Sequence, residues 1–271
     1  MIPKILHQIW LQGESEIPAG YAPYRRSWIE AHPEWRIHLW DDARILDLLT
    51  SRYPEHLALY CGYPNLVQRV DAAKYFILHA HGGFYTDMDT ECVRPLDDAL
   101  RGYELILSAA GPRPDGRVPS LTMFVATMGT FITPPYINNG TIGSVARHPF
   151  WHEVFDALHA NQSKRWFHPH EMHISKSTGP AFITSVFRRS RYATDPRALL
   201  ADPLMFDPTT VLSPFASSDA HGEPVATYAI HHYTFSWMKN GRRQRAFQAM
   251  NRARGTLRRQ PLRGRFRVRR A

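Results

Sequence analysis

The apolar residues between positions 65 and 81 recur at three- and four-residue steps, which is the spacing of an amphipathic helix. They are Leu66, Val70, Ala73, Phe76, Ile77 and Ala80. Gly82 and Gly83 end this helix, because glycine readily adopts the left-handed conformation of a helix C-cap. Residues 84–86 then predict a short strand, and an acidic pair stands at its end. The centre of the chain therefore predicts a helix, a glycine corner, a strand and two carboxylates.

The rest of the chain alternates between the two kinds of pattern. Period-two or β-branched stretches predict strands at residues 2–10, 35–40, 103–108, 121–127 and 226–231. Helical spacing and capping residues predict helices at residues 24–31, 43–50, 150–158 and 181–188. A Pro/Gly-rich loop is predicted at residues 111–119, and the histidine-rich residues 168–173 are predicted as a loop. We therefore expect an α/β fold with a mixed, mostly parallel central sheet flanked by helices.

The acidic pair consists of Asp87 and Asp89, with Met88 between them. On an extended chain, alternate side chains point to the same side, so both carboxylates would face one way and Met88 the other. Hard oxygen ligands of this kind suit Mn²⁺ or Mg²⁺. An isolated Asp-x-Asp is also common in solvated turns, but its place at the end of a predicted strand favours a metal site.

These motifs resemble the DXD glycosyltransferases of family 32, which include yeast-type α-mannosyltransferases and ceramide-inositol mannosyltransferases. The matching residues are Asp71, Lys74, Tyr75, Gly82, Gly83, Tyr85, Asp87, Asp89, Pro95 and Leu96. A more distant resemblance is to the catalytic domain of the clostridial glucosylating toxins. The resemblance implies a GT-A-like nucleotide-sugar-binding domain, a divalent cofactor with Mn²⁺ preferred over Mg²⁺, and a retaining transfer.

The resemblance also implies roles for individual residues. It places Trp10 against the base of the donor, Asp71 on its ribose or sugar hydroxyls, and Lys74 on its phosphates or sugar. Asp71, Lys74, Asp87 and Asp89 form the implied catalytic set. The metal ligands are Asp87, Asp89 and a histidine, with His231 preferred to His232. Further donor contacts fall on Tyr85, Asn138, Asn139, Gly179, Ser236 and Trp237.

From the residues alone, several of these positions have a simpler interpretation. Trp10 fits a core tryptophan, and Asp71 with Lys74 fits a helix-surface ion pair. Asn138 and Asn139 precede a glycine and fit a turn. Gly179 precedes a proline and fits a helix cap.

Composition and charge narrow the class of protein. A hydrophobic content of 44% in 271 residues is typical of a globular enzyme. Two cysteines do not make a disulfide framework, and we find neither a signal peptide nor an apolar stretch of membrane-spanning length. We therefore expect a cytoplasmic protein.

The positive charge is concentrated at the C-terminus. After Glu223 the chain carries Lys239 and twelve arginines, so the net charge of +9 leaves −4 (9 − 13) for the preceding residues. We expect a glycosyltransferase domain at residues 1–241 and a basic, partly helical tail at residues 242–271. The tail fits attachment to the cytoplasmic face of an anionic membrane, or a helix packed on the domain. We expect no nucleic-acid partner, because the domain itself is acidic.

The predicted function is metal-dependent transfer of a hexose from GDP-mannose or a UDP-sugar to a glycan or lipid-linked acceptor. Such an enzyme would serve surface-polysaccharide or glycolipid synthesis. Paired aspartates also occur in metal-dependent phosphohydrolases, and a non-catalytic sugar- or lipid-binding module is a third possibility.

Overall fold

The computed structural model describes residues 1–110, 136–161, 170–207 and 226–234. The predicted loop at 111–119, the predicted strand at 121–127 and the predicted tail lie outside these ranges, as do Ser236 and Trp237. The fold below belongs to the compact unit Met1–His232. The domain boundary after residue 241 stays a prediction.

The described strands form a mixed central sheet and a small second sheet. They are β1 (Ile5–Ile9), β2 (Arg36–Trp40), β3 (Gly83–Thr86), β4 (Thr90–Cys92), β5 (Leu105–Ala110), β6 (Tyr136–Ser144), β7 (Ala198–Ala201) and β8 (Ala229–His231). The central sheet has the order β2-β1-β3-β6-β5-β7, and β4 pairs with β8. Strand β6 runs antiparallel to β3 and β5, whereas β1 with β2, β1 with β3, and β5 with β7 are parallel. This mixed, mostly parallel sheet confirms the predicted α/β class.

Helices cover the sheet. They are α1 (Ala22–Ala31), α2 (Asp42–Arg52), α3 (Pro54–Cys61), α4 (Leu66–His81), α5 (Phe150–Ala160), α6 (His170–Ser177), α7 (Pro180–Arg189) and α8 (Pro203–Phe206). Short 3-10 helices lie at Glu14–Glu16, Ala19–Tyr21 and Arg191–Thr194. Within the described ranges, none of these helices combines the length and the apolar character that crossing a membrane requires.

The hydrophobic core fills both faces of the sheet, as the alternation along its strands requires. On β3, Tyr85 packs into the cluster that contains α4 and α5, whereas Phe84 packs with Trp28 and Phe206 on the opposite face. Helix α4 is almost entirely enclosed, with Ala72, Ala73, Tyr75, Phe76, Ile77 and Leu78 fully buried. A helix in the middle of the core is a rigid support for the polar side chains it carries.

The glycine corner after α4 is confirmed. Gly82 and Gly83 have φ of 63° and 97°, in the region that favours glycine. A Cβ on Gly82 would lie 2.5 Å from the Ala146 nitrogen, and one on Gly83 would lie 2.5 Å from the Ile5 oxygen. The corner therefore needs glycine both for its backbone conformation and for its close packing, and it sets the direction of β3.

Other predicted elements differ from the structure. Residues 170–173, predicted as part of a loop, begin helix α6, whose buried His173 and Ile174 pack inwards. Tertiary packing here outweighs a weak local helix preference. The turn interpretation of Asn138 and Asn139 is also wrong, because both lie inside β6. Strand β5 pairs with Asn138, and both β3 and β5 pair with the residues that follow, so the stretch stays within β6 at a shift of the β5 register. Helix α3 was not predicted.

Candidate functional site

The two aspartates follow β3 in a tight turn and not in the extended conformation expected from alternation. The Thr90 N–H donates to the Asp87 carbonyl at 3.1 Å, and the Asp87 N–H donates to the Gly140 carbonyl at 2.8 Å. Met88 is buried, as predicted. Both carboxylates still face the same side, since each approaches the imidazole of His231.

His231 reaches the aspartates through the second sheet. Strand β8 pairs with β4 so that His231 lies opposite Thr90, the residue that follows Asp89. The Nε2 atom of His231 lies 3.1 Å from Asp89 Oδ1 and 4.0 Å from Asp87 Oδ2. His232 lies elsewhere, with its Nε2 atom 2.9 Å from Glu91 Oε2. The geometry therefore selects His231 as the histidine beside the acidic pair.

The charges of this group are strongly coupled. Burial works against a charged imidazolium, but the carboxylates of Asp89 and Asp87 outweigh it and raise the pKa of His231 to about 9. His231 is therefore positively charged at neutral pH and neutralises part of the acidic pair. A divalent cation bound here would have to displace that proton.

The group fits a divalent cation. One donor atom from each of Asp87, Asp89 and His231 lies within 4.8 Å of the others. The set contains two carboxylate oxygens and one imidazole nitrogen. Mg²⁺ prefers oxygen ligands alone, so this set suits Mn²⁺ better. Gly140 leaves room between these side chains, because a Cβ there would lie 2.9 Å from Asp87 Oδ2 and 3.0 Å from His231 Cε1.

Lys74 occupies the centre of the site and is 1% exposed. Its ammonium group lies 3.0 Å from Asp71 Oδ1, 3.1 Å from the Asn139 carbonyl oxygen and 3.4 Å from Asp87 Oδ1. It also lies 4.6 Å from the centre of the Tyr85 ring. An ammonium group has three donors, and all three have acceptors within the protein. Lys74 therefore ties α4 to the acidic turn and to β6.

Burial shifts the pKa values of this ion pair. Burial raises the pKa of Asp71, and Lys74 opposes that rise. Burial also works against a charged Lys74, but Asp87 and Asp71 outweigh it and raise the pKa of the lysine. Lys74 is therefore a buried cation shared by the carboxylates of Asp71 and Asp87.

The two asparagines of β6 point to opposite sides of the strand. The Asn139 amide donates to Asp71 Oδ1 at 2.8 Å. The Asn138 amide donates to Asp207 Oδ2 at 3.1 Å and lies 3.0 Å from His231 Nδ1. Asn139 therefore contacts Asp71 on helix α4, and Asn138 lies beside His231.

Tyr85 and Gly179 complete the network. The Tyr85 hydroxyl donates to Asp87 Oδ1 at 2.6 Å, so this residue orients the carboxylate. Gly179, at the start of α7, packs closely against its neighbours, since a Cβ there would lie 3.1 Å from Ser175 Cα and 3.3 Å from Asp71 Oδ2. The N–H groups of Gly179 and Ala181 already bond to the Ile174 carbonyl and the Ser175 hydroxyl. These two donors are therefore used within the protein.

Trp10 lies at the same edge of the sheet. The parallel register of β1 and β3 pairs His7 with Tyr85, so the chain leaves β1 at Trp10 beside the acidic turn. Its indole N–H donates to the Glu16 carbonyl at 3.0 Å, and the ring remains partly exposed. The position is compatible with the predicted base contact. The predicted contacts Ser236 and Trp237 lie outside the described residues.

Sequence reasoning missed three members of the site. Asp207 is fully buried against Asn138, Thr178 Oγ1 donates to Asp71 Oδ2 at 3.3 Å, and Gly140 provides the space described above. For Asp207 and Gly140 no local pattern points to the site. Thr178 stands in the same short motif as Gly179, and that motif could have indicated it.

Fold and site together define an α/β protein with a candidate divalent-cation centre at one edge of its sheet. Residues 18–106 match the model for the glycosyltransferase sugar-binding region containing the DXD motif, a span that includes both aspartates. Residues 18–106 of the chain thus belong to this family of DXD glycosyltransferases.

Two of the proteins to which the chain is similar come from yeasts. The chain is 32% identical over 189 residues to mannosyl phosphorylinositol ceramide synthase CSH1 of Saccharomyces cerevisiae, covering 70% of this chain and 43% of that protein. It is 30% identical over 212 residues to inositol phosphoceramide mannosyltransferase 2 of Schizosaccharomyces pombe, covering 78% and 52%. The chain thus spans about half the length of these relatives. Among solved structures, PaToxG glycosyltransferase is similar with a TM-score of 0.41 and 15% identity, covering 69% of each chain.

Proposed function

We propose that this chain is a metal-dependent glycosyltransferase that moves a hexose from a nucleotide-sugar donor to a glycan or lipid-linked acceptor. Mannose from GDP-mannose is the first choice of donor, since the relatives above are named mannosyltransferases. UDP-hexoses are the second choice. The observation that carries the proposal is the convergence of Asp87, Asp89 and His231 beside the buried Asp71–Lys74 pair.

Asp87, Asp89 and His231 would hold the cation, with Mn²⁺ preferred. When bound, it supplies positive charge that offsets the charge growing on the departing diphosphate. The chain's contribution is to fix these ligands. Tyr85 and Lys74 hold one oxygen of Asp87 and leave the other facing His231. Asn138 lies on the far side of the imidazole, where its amide donates to Asp207 Oδ2.

Asp71 is the proposed sugar-binding carboxylate. Lys74 and Asn139 contact its Oδ1 atom, and Thr178 contacts Oδ2. A sugar hydroxyl would donate to Oδ2. Lys74 acts through Asp71 and Asp87, because its three donors are already used within the protein. This role differs from the direct phosphate contact implied by the family resemblance.

The acceptor side of the proposal rests on the sequence and the relatives. A lipid-linked acceptor would bring the enzyme to a membrane surface, and the basic residues 242–271 would hold it on anionic lipid there. The transfer would retain the configuration of the sugar, as the family resemblance implies. The proposed place of action is the cytoplasmic face of the membrane.

A donor panel tests the proposal. Purified protein is incubated with Mn²⁺ and one substrate at a time: GDP-mannose, UDP-glucose, UDP-galactose, UDP-N-acetylglucosamine and a simple phosphate monoester. We expect slow, Mn²⁺-dependent release of sugar from one nucleotide sugar, with GDP-mannose first. Turnover of the phosphate monoester alone would identify a phosphohydrolase. If no substrate is turned over, the remaining interpretation is a non-catalytic sugar- or lipid-binding module.

Gly140→Ala tests whether the space between the ligands is needed. The added methyl group would stand within 3.0 Å of both Asp87 and His231 and would push these side chains apart. We expect at least a tenfold loss of Mn²⁺ affinity, a loss of the size seen when support of metal ligands is removed. Isothermal titration with Mn²⁺ measures it.

Gly20→Ala is a matched control, because a Cβ at that exposed glycine meets nothing within 4 Å. Equal Mn²⁺ affinity in Gly140→Ala, Gly20→Ala and the wild type would exclude a cation between Asp87 and His231.

A further inference from the structure

A basic depression lies beside the amino end of β3, whereas Asp87 follows the carboxyl end of that strand. Its volume is about 380 Å³, within the usual range for small-molecule sites. It is lined by Arg52, Tyr53, His79, Ala80 and Arg147. These residues come from the end of α2, the last turn of α4 and the loop after β6. We call this feature the arginine pocket.

The two arginines of the pocket lack acidic partners. Among the described residues, neither guanidinium group forms an ion pair with a carboxylate, and the lining contains no acidic residue. Arg52 makes only a long hydrogen bond, 3.4 Å, to the Ala80 carbonyl. The nearby Glu55 lies 3.6 Å from the imidazole of His56. Within the part of the chain that the structure describes, the pocket therefore carries two positive charges that no carboxylate pairs with.

Arg147 is held in an unusual backbone conformation. Its φ is 57°, in the left-handed region that is disfavoured for residues with a side chain. Its N–H donates to the His79 carbonyl at 2.8 Å, which fixes the loop against the end of α4. Glycine would adopt this conformation with less strain. An arginine at such a position indicates that its side chain is used, since backbone outliers cluster at functional sites.

His79 adds a neutral donor to the pocket. Its Nδ1 atom lies 2.6 Å from the Tyr53 hydroxyl. Burial, together with the nearby His152 and Arg147, lowers the pKa of His79 to about 4, and burial raises the pKa of Tyr53 to about 12. Both groups are therefore neutral at pH 7, so the tyrosine donates to Nδ1 and the imidazole proton lies on Nε2. That N–H is available for an acceptor.

We propose that the arginine pocket binds a phosphate group of a phosphorylated polar molecule, with Arg52 and Arg147 as its charged donors and His79 as a neutral one. Guanidinium groups match the geometry of phosphate oxygens, and two of them offset a dianion. The same chemistry is presented by a soluble sugar phosphate and by the headgroup of an inositol phospholipid. The competing explanation is that the arginines only stabilise the C-terminal ends of α2 and α4.

Arg147→Gly separates binding from folding. It relieves the left-handed strain, so the melting temperature without ligand should stay equal or rise, yet it removes one phosphate donor. The double variant Arg52→Gln/Arg147→Gln removes both charges. Arg101→Gln/Arg189→Gln is the matched control, since these two arginines are exposed and lie on other elements. None of the four residues belongs to the proposed active site, so donor hydrolysis should be unchanged in every variant.

The experiment measures binding of inositol 1-phosphate to the full chain by titration calorimetry. It also compares flotation with phosphatidylcholine vesicles that contain equal fractions of phosphatidylinositol or of phosphatidylserine, because the basic residues 242–271 would bind both anionic surfaces. We expect the wild type and the control to bind inositol 1-phosphate, and Arg147→Gly and the double variant to bind at least tenfold more weakly. If the wild type prefers phosphatidylinositol vesicles and the same variants lose that preference, the lipid headgroup is the source. If flotation with the two kinds of vesicle is alike in all proteins, the source is the soluble phosphate. Equal affinity in all four proteins, or no binding by the wild type, would overturn the proposal whether or not the chain transfers sugar.

Discussion

Replacing Asp87 or Asp89 with asparagine should lower Mn²⁺-dependent turnover of the preferred nucleotide sugar by about 1,000-fold. Each change keeps the shape of the side chain and removes one negative ligand from the group that includes His231. A cation that neutralises a leaving group contributes several kcal/mol to the transition state, and about 1.4 kcal/mol corresponds to a factor of ten. Steady-state hydrolysis of the donor measures the loss.

Asp98→Asn is the matched control for these variants. Asp98 is exposed and lies a few residues after Asp89 in the sequence. Among the described residues, its carboxylate pairs only with the exposed Arg101. Its change should leave turnover and Mn²⁺ affinity unaltered. Full activity in Asp87→Asn and in Asp89→Asn would refute the metal role. A loss of similar size in the control would show that the assay reports general damage.

Lys74→Met should destabilise the fold by about 3–5 kcal/mol, because it leaves buried Asp71 without its cation. The deficit should depend on pH with a definite sign. Burial raises the pKa of Asp71 in the folded protein, and loss of Lys74 raises it further. When folding raises the pKa of a carboxyl group, the free energy of unfolding of the protein falls as the pH rises through that pKa. The loss of stability in Lys74→Met should therefore be larger at pH 7 than at pH 5. Chemical denaturation at the two pH values measures it.

The double variant Asp71→Asn/Lys74→Met is the control for this prediction. It removes both charges, so it should recover a large part of the stability lost in Lys74→Met while donor turnover stays low. If Lys74 served only to contact the donor phosphates, Lys74→Met would have the same free energy of unfolding as the wild type. A double variant no more stable than Lys74→Met would show that charge compensation is not the cause.

The sequence predicted the parts of the site that lie close together along the chain. Local rules of helix period and capping predict α4, the glycine corner and the strand after it, and the structure confirms these elements. Family resemblance added His231, which is 142 residues from its partner Asp89. Nothing in local spacing links two such distant residues, because only the pairing of β4 with β8 brings them together.

Tertiary packing determines the conformation and burial of several site residues whose local sequence allowed more than one interpretation. Asn138, Asn139 and Gly140 fit a turn locally, but the pairing of β5 before them and of β3 and β5 after them keeps them in β6. The two amides there reach Asp207 and Asp71. Lys74 fits an exposed helix salt bridge, but the enclosure of α4 makes it a buried cation shared by two carboxylates. Asp207 gave no signal, since its partner Asn138 is 69 residues away.

Crystals grown with Mn²⁺ and a nucleoside diphosphate allow the most direct test, by anomalous scattering at the manganese edge. A single peak within coordination distance of Asp87, Asp89 and His231 is the predicted result. A peak bound by other side chains, or nucleoside diphosphate bound with no manganese at these three residues, would contradict the proposed site.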